Sequence, residues 1–177
     1  MKETTQQYIQ RILGYVEGKD PLKVQQSTPA KLEKILKSMG KRDVSARPAP
    51  DKWSAQEIVA HLAECELVAG WRLRQVINTN GTEIQSFDQD AWATTSGYSR
   101  MDPKKSLQMF RVLREANLAL LASIPKEKWN NYGVHQERGN ETVAHIVRMF
   151  AGHDLNHVQQ IEKLAKKPRG KTSAARA

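Results

Sequence analysis

Three histidines in this 177-residue chain are spaced so that their side chains can act on one object. His153 and His157 are four residues apart, so on an α-helix they lie one turn apart on the same face. Ile146, Phe150, Ile161 and Leu164 share that face and are apolar, which turns it towards a core. His61 lies beside a second apolar stripe made of Ile58, Leu62 and Cys65. Two imidazoles one turn apart can reach one divalent ion at metal–nitrogen distances of about 2.0–2.1 Å. Helices packed about 8–10 Å apart bring a third imidazole within range. Three protein nitrogens leave positions for water or substrate, which is the pattern of a catalytic site rather than a structural one. The competing reading is that the three rings are simply packed core histidines. His145 is a contrast: it precedes His153 by eight residues, about 12 Å of helix rise, too far to share an ion. His135 sits in a polar stretch and receives no role.

Residues beside these histidines have plainer readings. Asp154 lies about 100° around the helix from His153, and a surface position is expected for it rather than one behind an imidazole. Glu64 likewise neighbours His61 in sequence only. Glu57 is accounted for by helix capping. Gln160, nearly one turn past His157, either hydrogen-bonds near the site or faces solvent. Cys65 reads as a small core residue rather than a ligand or nucleophile.

The elements that must carry these residues are helices. Tyr8, Ile9, Ile12, Leu13 and Val16 recur at three and four over Thr5 to Val16, and Gly18 follows. Thr28-Pro29 reads as an N-cap and first helical residue, opening a short, secondary helix from Ala30 to Met39 that Gly40 stops. Ser54-Ala55-Gln56-Glu57 is a capping box, with Trp53 and Ile58 placed as a hydrophobic staple. The helix it opens extends to about Asn78 and carries Ile58, Leu62, Cys65, Ala69 and Val76 inward. From Thr79 to Met101 no helical period is found, and a connection of that length is functional or flexible. Its aromatic residues Phe87, Trp92 and Tyr98 either anchor it on the helices or line a pocket. Asp102-Pro103 starts a further helix with Leu107, Phe110, Val112, Leu113, Leu118 and Leu121 on its apolar side. The last helix starts near Asn140 and Pro168 ends it. Strand signals are thin. The expectation is an all-α, four-helix bundle with a minor extra helix.

Charge separates body from tail. Lys+Arg outnumber Asp+Glu by 28 to 19, a net +9. Six of the basic residues (Lys163, Lys166, Lys167, Arg169, Lys171, Arg176) follow Glu162 with no acid among them, which leaves +3 for everything before. The boundaries expected are a bundle over 1–165 and a basic, disordered tail over 166–177. A body so close to neutral gives little support to nucleic-acid binding. No apolar run reaches the roughly 18–20 residues of a membrane span, and Met1 to Gln7 has no signal-peptide core. A single cysteine, Cys65, excludes an intrachain disulfide and a cysteine-cluster zinc site. A cytoplasmic location is expected.

Lys52 to Glu66, KWSAQEIVAHLAECE, resembles the second-helix signature of the DinB/YfiT-like superfamily of metal-binding four-helix bundles. His153-Asp154-Leu155-Asn156-His157, followed by Gln159-Gln160-Ile161, is similar to its C-terminal His-x-x-x-His signature. Phe87 to Trp92 in the long connection is also similar, and the likeness extends over about residues 5 to 165. The resemblance implies an up-down-down-up bundle that binds zinc, nickel or a similar ion through His61, His153 and His157, often as a homodimer acting on a small molecule. It further implies thiol-dependent S-transfer, with a low-molecular-weight thiol as cofactor, while metal-assisted hydrolysis equally suits a three-histidine centre. No residue selects between them, and a non-catalytic bundle serving as a binding or dimerisation module is the alternative.

Overall fold

Most helices begin where the sequence supplies a cap. The computed structural model describes residues 3–166. Thr4 and Gln7 form a reciprocal capping box at the start of α1 (Thr5–Val16), and Ser54 and Glu57 do the same for α4 (Ala55–Asn78). The Asp20 carboxylate accepts from Leu22 and Lys23 to open α2 (Pro21–Ser38). Asp88 and Asp102 start α5 (Gln89–Thr95) and α6 (Pro103–Ser123) in the same way. A short α3 (Lys41–Ser45) follows α2, and α7 (Val143–Lys166) closes the described chain. The basic tail expected beyond the bundle lies outside the described residues, apart from Lys166.

The second helix differs from the sequence expectation. Thr28 and Pro29 lie inside it, both buried, rather than at its start. The Thr28 hydroxyl donates back to the Val24 carbonyl at 2.9 Å. Proline lacks an N–H, so the Gln25 carbonyl loses its helical donor, and Arg114 Nη1 supplies one at 2.9 Å. With that compensation the helix runs 18 residues and is a principal element. The shorter α1 is the added one, lying along α7.

The ring order of the bundle is α2–α6–α4–α7. Ile58 and Leu62 near the start of α4 share a core cluster with Leu107 and Phe110 near the start of α6, and with Val158 and Ile161 near the end of α7. Leu73, Val76 and Ile77 near the end of α4 meet Leu121 of α6 and the first turns of α7. Thus α4 and α6 are parallel, and both oppose α7. Gln25 near the start of α2 bonds to the Val147 carbonyl near the start of α7, so α2 runs with α7. The topology is up-down-down-up. Two consecutive parallel helices require the chain to return along the whole bundle. A 24-residue helix spans about 36 Å, and the connection from Thr79 to Met101 makes that journey.

That connection has more order than expected. It contains β1 (Thr82–Ile84) and α5, and β1 pairs in parallel with β2 (Tyr132–His135), which pairs antiparallel with β3 (Gly139–Thr142). The β2–β3 hairpin closes through Gly139 at φ 74°, a left-handed conformation suited to glycine. The last helix accordingly begins at Val143, after a strand. Strands of three or four residues are too short for alternation to register in sequence.

At the middle of the bundle four helices meet on Arg114, which is 1% exposed. It donates to both Asp154 oxygens at 2.6 and 3.0 Å, and to Glu66 at 2.8 Å. Asn117 satisfies the other Glu66 oxygen at 2.8 Å. Burial opposes the guanidinium charge, but Asp154 and Glu66 outweigh it and keep Arg114 firmly cationic. Asp154 is therefore not at the surface as expected: it is 1% exposed and ties α7 to α6 immediately beside His153.

Candidate metal centre

The three histidines picked out by spacing meet. His61 Nε2 lies 3.1 Å from His153 Nε2, and His157 Nε2 lies 3.0 Å from the same atom. The inward stripe of α4 delivers the first ring, and one turn of α7 delivers the other two. His61 and His157 are buried, and His153 is partly exposed. Ligands about 2.0–2.1 Å from a common ion, at angles between octahedral and tetrahedral, lie about 2.8–3.4 Å from one another. The two separations from His153 Nε2 fall in that window, and the His61 and His157 ring centroids lie 4.9 Å apart.

Proton placement favours the same reading. Gln160 Oε1 stands 2.9 Å from His157 Nδ1 and accepts from it, so the hydrogen is on Nδ1 and Nε2 presents a bare lone pair. A single hydrogen on His153 Nε2 cannot fully serve neighbours on both sides, whereas one cation would satisfy all three nitrogens. Burial, foremost, and then the neighbouring rings push all three histidines well below the ordinary imidazole value. They are neutral at pH 7, the form a metal requires. Donor type, spacing and protonation thus fit a divalent cation.

Cys65 is nearer this centre than its sequence reading implied. Its Sγ is 3.4 Å from His61 Nε2, and His61, Cys65 and His153 offer donor atoms within 4.8 Å of one another. Burial raises the thiol pKa, which keeps it protonated in the absence of a cation. Trp53 does more than staple the start of α4: its indole lies against the His61 ring, with centroids 4.8 Å apart, and meets Tyr98 edge-on. Tyr98 in turn donates to Glu64 at 2.6 Å, so this aromatic residue anchors the long connection. Phe87 instead lines a cavity beside the histidines. His145 stands apart, facing Glu141 at 3.8 Å.

Two cavities flank the centre. One, of about 340 Å³, is lined by His61, Cys65 and His153 together with Arg72, Phe87 and His135. The other, of about 460 Å³, reaches His153 and His157 past Trp53 and Lys163. The connection over residues 79–101 contributes Phe87 and Gln89 to the first, so it borders the centre. The larger hollow near Leu36, Met39 and Leu107 is lined by none of the three histidines. Sequence reading missed Arg72 and His135 as cavity residues. Arg72 lies on the α4 stripe eleven residues after His61, one residue before Leu73, where an arginine reads as solvent-facing.

An up-down-down-up bundle with imidazoles from two of its rods converging beside a cavity defines the class of this molecule. Residues 26–161 match the DinB superfamily, and the chain belongs to it. Among relatives, one from Oceanobacillus iheyensis named "Putative metal-dependent hydrolase OB0413" is 24% identical over 132 residues, covering 75% of this chain and 76% of the relative. A second from the same organism, "Putative metal-dependent hydrolase OB0782", is 24% identical over 115 residues, covering 65% and 66%. YfiT from Bacillus subtilis, described as "a probable metal-dependent hydrolase with an unusual four-helix bundle topology", superposes with a TM-score of 0.76 at 19% identity, over 92% of this chain and 88% of YfiT. That likeness establishes the shared fold. No helix among the described residues is long and apolar enough to cross a membrane.

Proposed function

We propose that the protein is a metal-dependent enzyme in which His61, His153 and His157 hold one divalent ion, zinc or nickel, and act on a small electrophilic molecule. The observation that carries this reading is the meeting of three neutral imidazole Nε2 atoms at 3.0 and 3.1 Å beside an open cavity. The names of the relatives point the same way. An ion held by three nitrogens supplies Lewis acidity at its remaining positions, for water, a thiol or a substrate oxygen.

The chain's own residues prepare that environment. Gln160 fixes the His157 tautomer, which holds its lone pair on the common point. The Asp154–Arg114 pair anchors the α7 backbone between the two ligands of that helix. Trp53 covers His61 and shields it from water. Hydrolysis of an ester or amide and transfer of a low-molecular-weight thiol to an electrophile both suit such a centre, with hydrolysis favoured by the relatives' names.

The test is turnover. Protein loaded with zinc or nickel is assayed on activated esters and amides, and on alkyl halides and epoxides with cysteine as the thiol, beside the His157→Ala variant. The reading predicts metal-dependent turnover in one panel that falls at least 100-fold in the variant. Equal activity in the variant, or none in either panel, would remove the enzymatic reading.

A further inference from the structure

Arg72 is an unusual residue to find in the wall of the 340 Å³ cavity. It is 5% exposed, yet no carboxylate lies within ion-pair range among the described residues. Its Nη2 donates to the Gln85 carbonyl at 2.6 Å, and the Phe87 ring centroid lies 5.7 Å from the guanidinium carbon. Nε and Nη1 have no acceptor among the described residues and keep some contact with solvent. Arginine is almost never buried without a partner. Burial, then the nearby Arg138, pushes its pKa down to about 10, so it stays charged at pH 7.

A second, independent group in the same wall has the same need. His135, 2% exposed, accepts the Glu137 amide N–H at Nδ1 at 3.1 Å, which places its hydrogen on Nε2. That Nε2 is buried and has no partner among the described residues. The other charges in the wall do not meet these needs. Arg138 is committed to Glu141, and Glu3 to Arg11. Glu137 is exposed and makes no ion pair among the described residues. A buried guanidinium with donors to spare beyond its Gln85 bond and a lone N–H donor in the same wall suit an anionic oxygen acceptor, which a guanidinium binds through charge-assisted hydrogen bonds.

We propose that this cavity is a subsite for an oxyanion group, a carboxylate or a phosphate, with Arg72 and the Nε2–H of His135 as its donors. Resting on the metal-centre reading above, it assigns the substrate class: a small molecule with an anionic end at Arg72 and its reacting group at His61 and His153, which line the same cavity.

The test is calorimetric titration of the full chain as purified with succinate, inorganic phosphate and uncharged succinamide, with metal content measured on the same samples. Saturable binding of succinate or of phosphate is expected, the tighter one naming the group, with none for succinamide. Arg72→Gln should weaken it at least 10-fold at unchanged metal content, and His135→Gln several-fold. Should Arg72→Gln fail to fold, Arg72→Lys, which keeps the charge and loses the fork, should still weaken binding several-fold. His157→Ala should keep anion binding while losing metal, which separates this subsite from the centre itself. Anion binding that is absent in the wild type, unchanged in the Arg72 variants or lost with His157 would overturn the proposal.

Discussion

At the scale of single residues, the centre depends on where protons sit. Gln160 holds the hydrogen of His157 on Nδ1, and removal of such an orienting partner costs about 10–100-fold in metal affinity. Gln160→Ala is therefore expected to weaken zinc binding by that range in a competition titration, with its melting temperature nearly unchanged because the side chain is exposed. His135 gives a pH dependence whose sign is fixed. Burial, foremost, takes it from 6.5 down to about 4 in the folded chain. Between those values the unfolded chain takes up a proton that the folded one refuses. Stability from this group is therefore complete above pH 6.5 and drains as pH falls towards 4. Urea midpoints at pH 7.5 and 4.5 should differ more for the wild type than for His135→Gln. The sequence displayed His153 and His157 through their spacing, and His61 through the apolar stripe beside it and the family signature. It hid His135 and Arg72, because their importance comes from partners they lack in the fold, and a missing partner leaves no mark on local sequence.

Among the elements, α1 and α7 approach closely at Gly152. A Cβ placed on Gly152 would come within 2.1 Å of the Ile12 carbonyl oxygen, a backbone atom that cannot swing aside. Gly152→Ala should therefore push α1 off the helix that carries His153, costing about 1–3 kcal/mol in urea unfolding. An unchanged midpoint would show that α1 does not pack as described. Helix positions were legible where a cap stood beside an apolar period, as at Ser54–Glu57 and Asp102-Pro103. Asp20-Pro21 carries the same signal as Asp102-Pro103, but Thr28-Pro29 obscured it. A proline tolerated inside a helix depends on a donor from another helix, here Arg114, and that contact is separated by 89 residues. The short strands were illegible for a related reason, since β1 acquires its partner only when the connection lies against the hairpin.

In the molecule as a whole, the buried charges and the parallel α4–α6 pair are linked. Arg114 joins α6 to α2, α4 and α7, where a helix pair without a direct turn needs another tie. Arg114→Ala would strand Asp154 and Glu66 as two buried carboxylates, a loss of about 3–5 kcal/mol, and a variant as stable as wild type by chemical denaturation would contradict that role. Bundle class was readable from the long apolar periods, though they promoted α1 over α2, and the up-down-down-up order came only from what the family resemblance implies. The tie at Arg114 was not, because Asp154 looks solvated until three other helices surround it. The central claim is that imidazoles from α4 and α7 share one cation. Its most direct test is elemental analysis of the full chain after incubation with zinc or nickel and gel filtration. About one divalent ion per chain is expected for the wild type, with His61→Ala and His157→Ala each retaining less than about one tenth of that. A wild-type chain that emerges metal-free, or variants that retain the ion equally well, would contradict the account.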